Sequence, residues 1–395
     1  MNLLALAERW EEALTTKTVG FAADRCLYTV DKFATCTACY DICPAAAIQP
    51  GDPPIFVREN CQQCRACLPI CPVGAFTADD EAQALLTYAE HAGAKTYEVV
   101  CALNPQVDVG TSTTAVRVRG CLAGLGVGSY LALVGQGMEQ VIVRLDACAN
   151  CPWSELQPQV EVQVQQAQAL LALWGYEAAV TCLYEAGDDF QKRPFRHASS
   201  PPVSRRNLFS WREAEKKAAE PDAPPSLFHD RLRFLTAIKH LPAPSNPEAT
   251  TSLAGLGFAL MAVNDECTAC GICARVCPTE ALQMQTDKSS YQLVFSPQIC
   301  IACDMCCHVC TPQAITLTPD PSFAQVFASP IEQVMQQGQL THCAKCNTPF
   351  AATPDTRLCP VCEFRRQNPF GSTLPLAMMM NHTKKNLTGA RSRAL

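Results

Sequence analysis

Long hydrophobic runs, histidine and any recognisable catalytic set are scarce in this chain of 395 residues. No apolar run reaches the roughly 18 residues that a membrane span requires, so direct membrane insertion is not expected. There are only 7 histidines, none paired at metal-binding spacing. No phosphate-binding P-loop and no Ser/His/Asp set is present, and no acid, base or nucleophile stands out as catalytic. The opening segment MNLLALAERWEEALTTKT has no basic leader ahead of an apolar stretch, being interrupted by Glu8, Arg9, Glu11 and Glu12. It reads as an amphipathic helix rather than an export signal.

Cysteine, by contrast, is abundant, with 26 in the chain. Many are spaced by two or three residues, too close to pair with one another as disulfides without strain. A secreted disulfide scaffold would be short and preceded by a signal peptide. Reduced, metal-ligating thiolates in a cytoplasmic protein are the better reading. The length and the 48% apolar content allow two to four domains with compact cores. The formal charge is −6. Six four-thiolate sites, each carrying about −2, would take it to roughly −18. That disfavours nucleic acid and suits basic patches on redox partner proteins.

The cysteine runs repeat. CPAAAI at 43–48, CPVGAF at 71–76, CPTEAL at 277–282 and CTPQAI at 310–315 each place Ala four residues after a cysteine and an apolar residue at the fifth. Proline follows the cysteine in three of them and is shifted to Pro312 in the fourth. Proline suits the first turn of a helix, so each motif is expected to enter a short helix packed under a cluster. The repeats come in pairs, about 200 residues apart, which gives two cysteine-rich modules at 1–85 and 263–320.

The runs TYEVVCAL, AVRVRGCL, QVIVRLDAC and YEAAVTCLY alternate with helix-like segments over 95–185. This order predicts a small parallel α/β sheet between the modules. Residues 186–262 read as a Pro-rich linker with one helix, RLRFLTAIKHL, and the tail at 367–395 as basic and disordered. The expected class is therefore α+β and multidomain.

The strongest chemical signal is Cys267-x2-Cys270-x2-Cys273-x3-Cys277-Pro278, followed by Cys300-x2-Cys303-x2-Cys306-x3-Cys310. Two-residue gaps let one loop wrap a cubane, while the fourth cysteine reaches the other cluster. Crossed ligation predicts one [4Fe–4S] cluster on Cys267, Cys270, Cys273 and Cys310 and a second on Cys300, Cys303, Cys306 and Cys277. Structural zinc is the alternative. Cys307 is a spare buried thiol.

These motifs resemble the bacterial two-cluster ferredoxin family over about 265–318 and, less perfectly, over 33–78. By the same crossing, Cys61, Cys64 and Cys67 are expected to share a cluster with Cys43. The fourth site has Cys36, Cys39 and Cys71, but position 33, where the motif needs its first sulfur, is Phe33. Cys26 lies within reach as a replacement ligand. Alternatively it is a buried thiol beside Tyr28. Four [4Fe–4S] clusters are thus expected in all.

In the middle domain Cys101, Cys121, Cys148 and Cys151 fall where strands end. The carboxyl ends of parallel strands face one crevice, so these thiols can converge. The order VVCALN, VRVRGCLAGL, VIVRLDACANCPW resembles the small iron–sulfur subunit that connects methyl-viologen-reducing hydrogenase to heterodisulfide reductase. That resemblance implies a [2Fe–2S] cluster on these four cysteines, although the chain closes with C-x2-C where the family has a longer gap. The alternatives are ordinary core cysteines, as Cys182 is read, or a nucleotide bound at Gly124, Gly126 and Gly128, near Asp146.

Cys343-x2-Cys346 and Cys359-x2-Cys362 form two facing knuckles that resemble rubredoxin-like and zinc-ribbon modules, here at 340–366. Four thiolates suit Zn²⁺, with mononuclear iron as the alternative and His342 as a bystander. The ribbon lacks the basic, aromatic surroundings of a nucleic-acid binder. Together these features predict a non-catalytic electron-wiring subunit of a cytoplasmic hydrogenase- or heterodisulfide-reductase-type complex, with electrons crossing the middle domain between the two modules. A redox sensor or cluster-assembly protein, and a self-contained reductase, are the competing readings.

Overall fold

Five parallel strands form the centre of the molecule, in the order Val180–Leu183, Gln140–Arg144, Thr96–Val100, Ala115–Arg117, Arg196–His197. The computed structural model describes residues 18–31, 34–92, 95–104, 115–185, 196–199, 229–244, 250–287, 289–328, 330–351 and 356–368. The expected amphipathic segment before residue 18, Phe33 and the basic tail from 369 onward lie outside the described residues. No described helix is long and apolar enough to cross a membrane.

The strands arise where the sequence predicts them, because TYEVV and QVIVR are β-rich runs that parallel pairing buries on both faces. The helices Glu81–Ala92, Val127–Gly135 and Gln157–Leu171 share one core with the sheet. In the last of these, Val160, Val164, Ala167 and Leu171 recur at helical spacing and are buried. Pro158 stands in its first turn, and Gly175, at φ 74°, ends the 3₁₀ turn that follows. The middle domain therefore begins near residue 81, earlier than the expected 95.

Of the segment expected to be a linker, residues 196–199, 229–244 and 250–262 are described, and these pack against the rest of the fold. They supply the edge strand Arg196–His197 and the helix His229–His240, which packs along Val127–Gly135. The Asp230 carboxylate accepts hydrogen bonds from the backbone amides of Gly128 and Ser129, both at 3.0 Å. It thereby fills the helix N-terminus where a nucleotide phosphate would bind. Gly128 is needed because the backbone oxygen of Asp230 would lie 2.1 Å from a Cβ there. The glycines of this turn serve helix packing, and the nucleotide reading falls.

The two cysteine-rich modules share one plan. In the N-terminal one, Gly20–Phe21 pairs with Phe76–Thr77 and Ile48–Gln49 with Ile55–Phe56. In the C-terminal one, Ala259–Val263 pairs with Ile315–Pro319 and Leu282–Thr286 with Ser290–Phe295. The short helix expected after each fourth cysteine does not form. Ala46, Gly74, Glu280 and Gln313, each three residues on, are left-handed at φ 48–60°, which closes a turn and starts a strand. The apolar residue at the fifth position, Ile48, Phe76, Leu282 or Ile315, is buried in that strand.

The zinc-ribbon segment is not a separate domain. Gln333–His342 pairs with Ser290–Phe295 on one side and Pro349–Ala351 on the other, so the ribbon extends the C-terminal module's sheet. The rings of Phe234, Phe258, Phe323, Phe327 and Trp174 pack together and join that module to the middle domain.

Replacing Gly128 by Ala is expected to lower stability by about 1–3 kcal/mol through overpacking against the Asp230 backbone. Gly135→Ala, whose Cβ would meet only ordinary contacts at 3.9 Å, is expected to stay within about 1 kcal/mol of the parent. Denaturant unfolding of both variants measures the difference, and equal effects would refute the packing explanation.

Candidate metal centres

The complete motifs curl by a common device. The residues on either side of the second cysteine are left-handed in all three: Gln63 and Arg65, Ala269 and Gly271, Ala302 and Asp304. One turn of helix then carries the third cysteine, at Cys67–Ile70, Ile272–Arg275 and Met305–His308. Backbone amides two residues on point back at the sulfurs, from Ala66 to Cys64, Ala269 to Cys267, Ala302 to Cys300 and Met305 to Cys303. The alanine four residues past the fourth cysteine has the same use. Ala75 donates its N–H to Cys71 Sγ at 3.3 Å, and Ala314 to Cys310 Sγ at 3.2 Å. Such donors favour a thiolate and are among the groups that tune a cluster's potential.

The thiols converge in crossed sets. Cys43, Cys61, Cys64 and Cys67 line a cavity of about 350 Å³, part of it open to solvent. Cys26, Cys36, Cys39 and Cys71 line another of about 360 Å³. In the C-terminal module, Cys267, Cys270 and Cys273 adjoin Cys310, while Cys300 and Cys303 adjoin Cys277 and Cys306 adjoins both Cys303 and Cys300. Burial, then repulsion from neighbouring thiols, pushes Cys39, Cys273 and Cys303 up to about 12. Cys307 is half-buried rather than buried, and raises the neighbouring Cys306 by hydrogen bonding to it.

Cys26 sits with its set in the way the other cysteines do. It is buried, it lines the cavity, and the amides of Tyr28 and Leu27 point at its sulfur. The Tyr28 hydroxyl meanwhile donates to the Cys36 carbonyl at 3.1 Å. Thr37, after Cys36, is right-handed where the complete motifs are left-handed, and Cys26 lines the same cavity from a separate turn.

At the carboxyl ends of the central strands, Cys121 adjoins Cys101 and Cys148, and Cys148 adjoins Cys151. Burial raises Cys121 and Cys148 to about 12. Asp146 holds these loops in place. It accepts from Arg144 Nε and Nη2 at 2.7 Å each and from Asn104 Nδ2 at 3.5 Å, while Arg144 also meets Glu98 at 2.9 Å. Cys182 stands apart, half-buried and bonded to the Tyr184 side chain.

Cys343, Cys346, Cys359 and Cys362 have their sulfur atoms within 4.8 Å of one another, close enough for one ion. Amides of Cys359, Cys346 and Lys345 hold Cys343 down to about 6, which favours the thiolate that a metal needs. His342 turns away, its Nδ1 lying 3.0 Å from the Asn347 carbonyl.

The sets also touch one another. The Cys121 amide donates to the Cys64 carbonyl at 3.0 Å, and Trp153 Nε1 to Gln62 Oε1 at 3.0 Å, tying the N-terminal module to the middle site. Gly120 and Gly124 permit this, since a Cβ at either would lie about 3 Å from Cys64 or Arg65 atoms. On the other side, Leu27, Ala34, Ile301 and Met305 form one buried cluster with Cys36 and Cys303 at its rim. The modules therefore contact each other directly. The middle domain touches both modules as well, the N-terminal one at Cys64 and Gln62 and the C-terminal one at Phe258 and Phe323.

Residues 263–283 match the 4Fe-4S binding domain family (Fer4). That stretch includes Cys267, Cys270, Cys273 and Cys277, so the chain carries a 4Fe–4S binding domain with room for at least one cluster. An iron–sulfur electron-transfer role is supported accordingly. No curated protein matches the chain. Spacing in the sequence pointed to the complete motifs and the strand ends to the middle set, but nothing local pointed to the contact between Cys64 and Cys121.

Cys26→Ser in the full-length, reconstituted protein is expected to lose up to about four irons or to gain an oxidised [3Fe–4S] signal. Cys182→Ser is expected to change neither. Iron analysis with electron paramagnetic resonance decides, and unchanged spectra for Cys26→Ser would exclude it as a ligand.

Proposed function

We propose that this protein is an electron-wiring subunit holding five iron–sulfur sites in one row. The order would be Cys267/Cys270/Cys273/Cys310, Cys277/Cys300/Cys303/Cys306, Cys26/Cys36/Cys39/Cys71, Cys43/Cys61/Cys64/Cys67, and Cys101/Cys121/Cys148/Cys151. The first four sets suit [4Fe–4S] clusters and the last a [2Fe–2S] cluster. When bound, such clusters supply one-electron exchange at low potential. The observation that carries this reading is the unbroken contact from set to set, through the shared Cys64–Cys121 hydrogen bond at one junction and the Leu27–Met305 cluster at the other.

The residues of this chain supply order, insulation and charge. Crossing keeps the two sites of a module adjacent, and apolar residues such as Val73, Ile301 and Met305 exclude water between the modules. Cys343, Cys346, Cys359 and Cys362 would hold Zn²⁺ as a structural clip beside the terminal set, where the Ala351 amide donates to the Thr268 carbonyl at 3.2 Å. Redox proteins at the two ends of the row are the proposed partners. The likeness of 95–185 to the hydrogenase-linked subunit favours a parent oxidoreductase of the hydrogenase or heterodisulfide-reductase type, in the cytoplasm.

Fully reconstituted protein is expected to contain about 18 irons and one zinc, and to cycle reversibly under dithionite and air-free reoxidation. Elemental analysis and a redox titration measure this. Iron near four per chain, with several zincs, would defeat the wire.

A further inference from the structure

The helix His229–His240 carries two adjacent charged residues that face different neighbours. Asp230 spends its carboxylate on Gly128 and Ser129 of the middle domain. Arg231 enters the C-terminal module, where it is 3% exposed. Its Nη2 donates to the carbonyls of Leu256 at 2.8 Å, Gly257 at 2.9 Å and Cys300 at 3.4 Å. Its guanidinium carbon lies 3.6 Å from the centre of the Phe258 ring. Nη1 is buried without a hydrogen-bond partner among the described residues.

Among the described residues no carboxylate forms an ion pair with this guanidinium. The other two fully buried arginines have one, since Arg65 meets Glu81 at 2.5 Å and Arg144 meets Glu98 and Asp146. A buried charge with no counter-charge is strongly unfavourable. Carbonyl dipoles and a ring face offset part of that penalty, but carry no net negative charge. The anionic groups that act on Arg231 are the Cys300 sulfur and, after it, Asp230, whose carboxylate is already bonded to Gly128 and Ser129. Burial lowers Arg231 to about 10, so it stays cationic at neutral pH. Asp304 opposes it near the same thiols but is exposed, where solvent screens it.

We propose that Arg231 is the counter-charge of the cluster held by Cys277, Cys300, Cys303 and Cys306, and raises its reduction potential. This rests on the reading of these thiols as a cluster site. A four-thiolate [4Fe–4S] centre takes up one electron and passes from about −2 to −3, so a fixed positive charge favours the reduced form. The neighbouring set at Cys26, Cys36, Cys39 and Cys71 has Asp41 acting on Cys36 instead. Arg231 is a positioning residue for charge rather than a ligand.

The test uses reconstituted full-length protein, with Arg231→Gln to keep hydrogen bonding and Arg231→Lys to keep charge. Iron content is measured first. Iron missing from this set in the parent protein would refute the cluster reading itself and not the role of Arg231. With iron complete, a potentiometric titration followed by electron paramagnetic resonance is expected to show one transition of Arg231→Gln at lower potential. The reduced-to-oxidised ratio at fixed potential should fall at least tenfold, about 59 mV for one electron. Arg231→Lys should retain the parent value. Unmoved transitions in Arg231→Gln would overturn the proposal. If Arg231→Gln loses its iron, Arg231→Lys decides alone: the parent potential supports the proposal, and a tenfold fall with charge retained overturns it.

Discussion

Four thiols gathered in one apolar cavity repel one another when ionised and, when protonated, leave polar sulfur facing a void. Burial keeps them neutral, raising Cys39, Cys121, Cys148, Cys273 and Cys303 to about 12. A bound metal centre must displace those protons, so loading and folding are linked. The left-handed pairs around Cys64, Cys270 and Cys303, the inward amides and the turns at Ala46, Gly74, Glu280 and Gln313 all bring the sulfurs close despite that repulsion. Those turns are filled by glycine only once, so three of them accept a backbone conformation that costs roughly 1–2 kcal/mol.

The same convergence organises the molecule at longer range. Because each set in a module draws sulfur from two segments, neither of its sites is complete until both hairpins are in place. Between modules, Cys64 abuts Cys121 on one side, and Cys36 and Cys303 share an apolar wall on the other. The helix His229–His240 secures this arrangement from outside, with Asp230 on the middle domain, Arg231 on the C-terminal module and Arg233 paired with Asp80 at the N-terminal boundary. Three adjoining parts of the fold are thus held by residues within one turn of one helix.

Cysteine spacing made the thiol sets readable, because a two-residue gap has few uses other than wrapping a metal centre. The parallel sheet was readable for a similar reason, in β-rich runs separated by helix-like segments. What sequence concealed depends on long-range contact. Asp230 reads as an ordinary charge until its partners, 101 and 102 residues away, are known. Gly126 and Gly128 suggested a phosphate and instead admit a helix. Proline after the cysteine suggested a helix start, but the third following residue, Ala46, Glu280 or Gln313, shows no preference for the left-handed turn that ends it. The strand Gln333–His342, QVMQQGQLTH, is too polar to announce that it belongs to a sheet.

That polar strand has a mechanical consequence. Residues 333–339 of it pair with Ser290–Phe295, and residues 340–342 pair with Pro349–Ala351. The first of the four-cysteine knuckles is therefore continuous with a strand of the 4Fe–4S module's sheet. A load applied to the helix Pro360–Gln367 would pass as shear through the ladder of backbone hydrogen bonds. It would reach the loop at Thr268 through the Ala351 amide, which donates to the Thr268 carbonyl.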